Sequence, residues 1–117
     1  MTVLNIAQAL DAEILFEGDA GREIKSACGS DLMSDVLAFV KENTVLLTGL
    51  TNPHVIRTAE ILDVSAIVFV RGKIPTPEIV DMARERDITL MRTAETLFTA
   101  CGILYEKGLR GGKTHGA

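Results

Sequence analysis

Three short aliphatic runs, Val45-Leu46-Leu47, Ala66-Ile67-Val68-Phe69-Val70 and Ile88-Thr89-Leu90-Met91, are separated by stretches whose apolar residues recur at helical spacing. Runs dense in branched aliphatics read as strands buried on both faces. Strands separated by helices need crossover connections, and crossovers make neighbouring strands parallel. The helical stripes are Val55, Ile56, Ala59 and Leu62, then Ile79, Val80 and Ala83, then Leu97, Phe98, Cys101, Leu104 and Tyr105, with an earlier one at Leu32, Met33, Val36, Leu37 and Val40. The expected fold is α/β: one layered domain over residues 1–109, with a mainly parallel sheet whose strands lie near 45–48, 66–71 and 88–92 between flanking helices.

An internal repeat agrees with this reading. Pro53, Val55, Ile56, Ala59, Asp63 and Val64 recur 24 positions later, without a gap, as Pro77, Ile79, Val80, Ala83, Asp87 and Ile88. Each member has a local mechanical reason. Asn52 and Thr76 cap the first turn, proline takes the first helical position where its missing N–H costs nothing, and the paired aliphatics face the sheet. The alanine allows close approach to the sheet, and the aspartate sits at the turn that feeds the next strand. One β-turn-α unit used twice explains the repeat better than two functional sites.

The ends are less regular. Leu4, Ala7 and Leu10 predict a short helix, Glu13 to Phe16 a strand, Gly18, Asp19 and Gly21 a turn, and Arg22 to Ala27 a second strand on the sheet edge. From Arg110 the string RGGKTHGA has no apolar member except the final alanine, and residues 110–117 are expected to form a flexible tail.

A chain of 117 residues can bury about two thirds of the surface its unfolded form exposes, enough for a core without staples. Apolar residues make up 47%, with only four phenylalanines and one tyrosine, so aliphatic side chains must fill the interior. A net charge of −4 argues against nucleic acid as a partner. No apolar run is long enough to cross a bilayer, and MTVLNIAQALDAEILFEGD lacks a basic leader followed by an apolar core. Cys28 and Cys101 have no Cys-x-x-Cys spacing and read as reduced thiols in a cytoplasmic protein that meets no membrane.

Leu46 to Ala59, LLTGLTNPHVIRTA, turns from a strand into a helix through Gly49. A phosphate loop of the Walker type needs a second glycine and a lysine so that several N–H groups and an ammonium converge. Gly49-Leu50-Thr51-Asn52-Pro53-His54 has neither, and it does not match the dinucleotide Gly-x-Gly-x-x-Gly pattern. Position is more informative. Parallel strands share one carboxyl-terminal edge, where open α/β sheets commonly bind ligands. That edge would gather Thr48, Gly49, Thr51 and Asn52 from the first strand, Arg71 and Lys73 from the second, and Arg92 and Thr93 from the third. In an acidic protein, three basic side chains beside three helix starts suit a nucleotide or another phosphorylated, anionic metabolite. The plain alternative is a rim of solvated charges with Thr and Asn acting as caps.

Other polar residues read as structural. His54 lies in a first helical turn without a visible partner, His115 belongs to the tail, and Cys101 falls on an apolar stripe. Cys28 sits just before a helix, where a thiolate can be favoured, but a structural role is expected. Asp31 and Asp35 have the spacing of a metal pair, yet near a helix start they read as capping residues, and Ser30 can supply the cap itself. No metal and no cofactor are expected.

The segments Gly29-Ser30-Asp31-Leu32-Met33-Ser34-Asp35-Val36-Leu37, Leu47-Thr48-Gly49-Leu50-Thr51-Asn52, Ile67-Val68-Phe69-Val70-Arg71-Gly72-Lys73 and Leu97-Phe98-Thr99-Ala100-Cys101-Gly102 together resemble the DRTGG domain family. The resemblance runs from about Ile14 to Leu109, although a contiguous Asp-Arg-Thr-Gly-Gly string is absent. Members of the family accompany CBS domains in regulated pyrophosphatases and form part of some phosphotransacetylases, and they are similar to the N-terminal domain of HPr kinase. The resemblance implies an α/β fold, a homodimer and an accessory role, without the catalytic regions of those larger proteins.

Two functions follow as expectations. One is a non-catalytic regulatory or sensory module, homodimeric, that binds an anionic metabolite at the strand-end edge. The other is an interaction domain that dimerises or docks on a partner enzyme and takes no small ligand. An enzyme is not expected, because no nucleophile stands beside a histidine base and no metal-ligand spacing occurs.

Overall fold

The computed structural model describes residues 1–19, 21–39 and 43–111. In chain order the elements are α1 (Val3–Leu10), β1 (Glu13–Phe16), β2 (Ser26–Gly29), α2 (Met33–Phe39), β3 (Thr44–Thr48), α3 (Pro53–Ile61), β4 (Ala66–Phe69), α4 (Pro77–Glu85), β5 (Thr89–Arg92) and α5 (Leu97–Glu106). The strands form one sheet in the order β1-β5-β4-β3-β2. Strands β2 to β5 are mutually parallel, and β1 runs antiparallel along β5.

Burial follows from this order. Successive strands step sideways in one direction, so α2, α3 and α4 cover one face of the sheet, while α1 and α5 cover the other. Strand residues alternate between the two layers. Val45, Leu47, Val68 and Met91 pack under α1 and α5, whereas Leu46, Ile67, Phe69 and Leu90 meet Val55, Ile56 and Ile79. Each fully buried Val, Leu or Ile side chain contributes about 1.5–3 kcal/mol, and such residues make up most of both cores.

The 24-residue repeat is a pair of matching helix signals. Asn52 accepts a hydrogen bond from the His54 amide and Thr76 from the Ile79 amide, each followed by proline in the first turn. At the other end Asp63 and Asp87 take left-handed φ values of 55° and 58°. Their amides donate to Glu60 and Arg84, and the next amides, Val64 and Ile88, donate to Ala59 and Ala83 at 2.9 Å. This is a Schellman closure, and α1 and α5 end with the same pair of bonds, from Asp11 and Ala12 and from Gly108 and Leu109.

The amino-terminal region differs from the expected strand pairing. The Glu13–Phe16 strand forms, but the second strand is Ser26–Gly29 rather than 22–27, and it lies on the opposite edge of the sheet. Because β1 is antiparallel, it ends at the pole where the parallel strands begin. The connection to β2 therefore runs beneath the starts of β5, β4 and β3 in turn. Gly18 donates to the Thr89 hydroxyl at 3.0 Å, Arg22 reaches Asp63 and Asn43, and Lys25 donates to the Asn43 carbonyl at 2.9 Å.

Two helical stripes are narrower than their spacing predicts. On α5 the buried face turns toward Ala100 and Leu104, whose small and branched side chains seat the helix close to the sheet. Phe98, 89% exposed, and Tyr105 are left outside. On α2, Met33 and Val36 are buried while Leu32 and Leu37 are exposed, and Val40 lies outside the described residues. At the carboxyl end Leu109 is buried and Arg110 bridges to Ser26, while residues 112–117, including His115, lie outside the described residues. No helix among the described residues is long and apolar enough to cross a membrane.

Candidate functional site

The carboxyl ends of β2, β3 and β4 converge on one carboxylate. Asp31, two residues beyond β2, accepts through Oδ1 from the Gly49 amide at 2.6 Å and from the Thr48 hydroxyl at 3.1 Å. Thr48 is fully buried, and its hydroxyl also accepts from the Leu50 amide at 3.2 Å, so this donor is fixed in direction. Arg71, just beyond β4, places Nη2 3.9 Å from Asp31 Oδ2. A methyl group at Gly49 would collide with the Arg71 guanidinium, so the absent side chain is what lets that charge lie over the end of β3.

Arg71 is held there against its own preference. Among the described residues, five non-glycine residues have positive φ, and four are Asp or Asn at turns. Arg71, at φ 59°, is the exception. A side chain without a local hydrogen-bonding group pays on the order of 1–2 kcal/mol for this conformation. Surrounding contacts impose it. The Arg71 amide donates to the Glu95 carbonyl and the Gly72 amide to the Thr93 carbonyl, both at 2.8 Å, and Arg92 donates to the Gly72 carbonyl at 3.3 Å. The same turn ends β4 at Phe69, two residues earlier than expected. Residues in costly backbone conformations concentrate at functional positions.

The eight residues expected from sequence occupy this pole in different ways. Thr48, Gly49 and Arg71 meet around Asp31. Lys73 is exposed and forms no ion pair among the described residues. Thr51 is half-buried, and exposed Asn52 is engaged as the cap of α3. Arg92 turns toward β1, where it pairs with Glu13 at 3.1 Å. Thr93 is buried, and its hydroxyl donates to the Leu10 carbonyl at 2.7 Å, tying α1 to β5.

Asp31 is the residue that the sequence reading placed elsewhere, as a helix cap. Instead Ser30 Oγ accepts from the Leu32 amide at 2.9 Å, which leaves Asp31 free to reach across to β3. The signal was the Gly-Ser-Asp string itself, but its target depends on β2 and β3 being neighbours. No group of three or more metal-ligating side chains occurs among the described residues. His54 is exposed, in the first turn of α3. Cys28 lies within β2 rather than in a loop before a helix, and burial, then Cys101 and Asp35, push its thiol above the ordinary value. Cys101 is also raised by burial, and the two thiols pack in opposite layers of the sheet.

A five-stranded, mostly parallel sheet with helices on both faces and a polar strand-end rim defines a layered α/β domain. The model of the DRTGG domain matches residues 5–106, and the chain belongs to that family. The fold is also similar to that of the CBS and DRTGG domains of the regulatory region of Clostridium perfringens pyrophosphatase, solved in complex with its activator diadenosine tetraphosphate. The TM-score is 0.68 at 20% sequence identity, over 88% of this chain and 45% of that one. This chain thus spans less than half the length of that structure. Among curated proteins, none matches the chain.

Proposed function

We propose that this protein is a non-catalytic regulatory module, homodimeric, that binds a nucleotide or another phosphorylated metabolite at the carboxyl-terminal edge of its parallel strands. The observation that carries the reading is Arg71. A half-exposed cation, 51% accessible, is held in a costly backbone conformation over the one residue whose lack of a side chain admits it, with Lys73 two residues on. Family membership and the likeness to a pyrophosphatase regulatory region support a regulatory role.

Thermal-shift measurements against nucleotides and phosphorylated metabolites test it. A ligand at about a hundred times its Kd adds about 2.7 kcal/mol of stability, so a binder gives a clear rise in Tm that Arg71→Glu removes. No rise across the whole panel contradicts the reading.

A specific observation favours a second function, docking on a partner enzyme without a small ligand: Phe98 is 89% exposed and Tyr105 is exposed on the same helix. Loss of partner capture in Arg71→Glu and Arg92→Glu variants, with no ligand effect in the wild type, would favour this second function.

A further inference from the structure

The anion-accepting point of the strand-end edge is already occupied by a side chain of the protein itself. The Gly49 N–H and the Thr48 hydroxyl both donate to Asp31 Oδ1, at 2.6 and 3.1 Å, and the Arg71 guanidinium lies 3.9 Å from Oδ2. Two directed donors and a cation converging on two anionic oxygens is the arrangement that a phosphate group would demand. From this we infer that Asp31 is an internal latch, which an incoming phosphate must displace to reach Gly49 N–H, Thr48 and Arg71. The inference rests on the ligand-site reading above and adds how that site is regulated.

Several features make Asp31 the movable member of the set. Thr48 is fully buried, and Gly49 is backbone at a strand end next to β4, where the Val70 amide donates to the Thr48 carbonyl at 3.0 Å. Asp31, by contrast, has a side chain 45% exposed and belongs to the short link between β2 and α2. Its backbone does not depend on the latch. The Ser30 amide donates to the Leu47 carbonyl at 3.0 Å, and Ser30 Oγ holds the Leu32 amide. Rotation of the Asp31 side chain therefore opens the donors to solvent without unpairing β2, and the freed carboxylate regains water.

The alternative role, Asp31 as a fixed co-ligand that accepts from a ligand hydroxyl, predicts the opposite sign. A latch opposes binding, so its removal tightens binding. A co-ligand assists, so its removal weakens it. The link that carries Asp31 leads directly into α2, whose Met33 and Val36 are buried against the sheet.

Calorimetric titration of pyrophosphate and of ATP into the wild type, Asp31→Asn, Asp31→Ala, Arg71→Ala and the double variant Asp31→Asn/Arg71→Ala decides the matter. Asp31→Asn keeps the side chain's shape and an acceptor oxygen, so it stands even if Asp31→Ala does not fold. The latch predicts binding about tenfold tighter or more in Asp31→Asn, the scale of one charge-assisted contact, with the gain lost in the double variant. Unchanged or weaker binding in Asp31→Asn, while Arg71→Ala still abolishes wild-type binding, overturns the latch and leaves the ligand site standing. Absence of binding in every protein overturns both. A ligand-free readout accompanies the titration: the Gly49 amide resonance moves in Asp31→Ala if the charged acceptor is present in solution, and an unmoved resonance overturns the latch.

Discussion

The two poles of the sheet carry comparable charges and use them differently. At the amino-terminal pole, Arg22 reaches Asp63 at 2.7 Å and Asn43 at 2.8 Å. Arg86 Nε lies 2.8 Å from Glu60 Oε2, off the hydrogen-bond direction, so that pairing is coulombic, and its Nη1 donates to the Met82 carbonyl at 3.0 Å. These groups rim a cavity of about 220 Å³ floored by Ala59, Val64 and Ile88. At the carboxyl-terminal pole Arg71 stands 3.9 Å from Asp31, and Lys73 has no ion-pair partner among the described residues. The cations beside the amino-terminal cavity are thus matched at close range, while Arg71 is matched only at 3.9 Å and Lys73 by no ion pair among the described residues. The paired charges at the amino-terminal pole bind the connection between β1 and β2 to the rest of the fold.

The largest effect that separates the poles is structural. In Gly18→Ala the new methyl group meets the Asp87 backbone carbonyl, which cannot move aside as a side chain can. Chemical denaturation should show a loss of about 1–3 kcal/mol, with pyrophosphate affinity unchanged in the folded protein. A large affinity change in this variant would mean that the poles are coupled. Gly49→Ala is the counterpart at the other end. Its methyl group meets only the flexible end of Arg71, so stability should change by less than about 1 kcal/mol. Binding of pyrophosphate should nevertheless weaken about tenfold, which corresponds to about 1.4 kcal/mol. Retained affinity would show that the seat of Arg71 over Gly49 is irrelevant to binding.

The smallest effect concerns the strap under the amino-terminal pole. Arg22→Ala removes a partly exposed ion pair and should cost about 1 kcal/mol or less, with no effect on ligand. It should also change the acid limb of stability. A hydrogen bond from Arg22, with its charge, lowers the Asp63 pKa below the ordinary carboxylate value. A depressed pKa means that the contribution is present above the unfolded value, about pH 4, and fades as pH falls through the folded one. Urea midpoints measured from pH 6 down to pH 2 should fall more steeply in the wild type than in Arg22→Ala, and parallel curves would show that this ion pair contributes nothing in solution.

What could be read from sequence at each pole divides along the same line. Features set by a few neighbouring residues were legible. Asn52 with Pro53, Thr76 with Pro77, and Asp63 and Asp87 in left-handed turns all do in the structure what their local chemistry demands. The parallel edge followed from the alternation of aliphatic strands with helices. Features that depend on which strand lies beside which were not legible. The placement of β2 on the far edge, the reach of Asp31 to Gly49 and the tie from Thr93 to Leu10 join residues distant in sequence, with no periodicity to announce them. Thr93 shows the cost of reading position alone: it stands at the expected strand end, yet its hydroxyl is buried on the α1 carbonyl. On α5 the apolar residues were visible, but the axis of the buried face was set by the close approach of Ala100.

The central claim is that an anionic metabolite binds at the carboxyl ends of the parallel strands. Amide chemical-shift mapping during a titration with ATP tests it most directly. The account predicts shifts concentrated at residues 30–32, 48–52 and 71–73, with the amides of Arg22, Ser65 and Asp87 at the other pole unmoved. Shifts centred on the amino-terminal cavity, or none at saturating nucleotide, would contradict it.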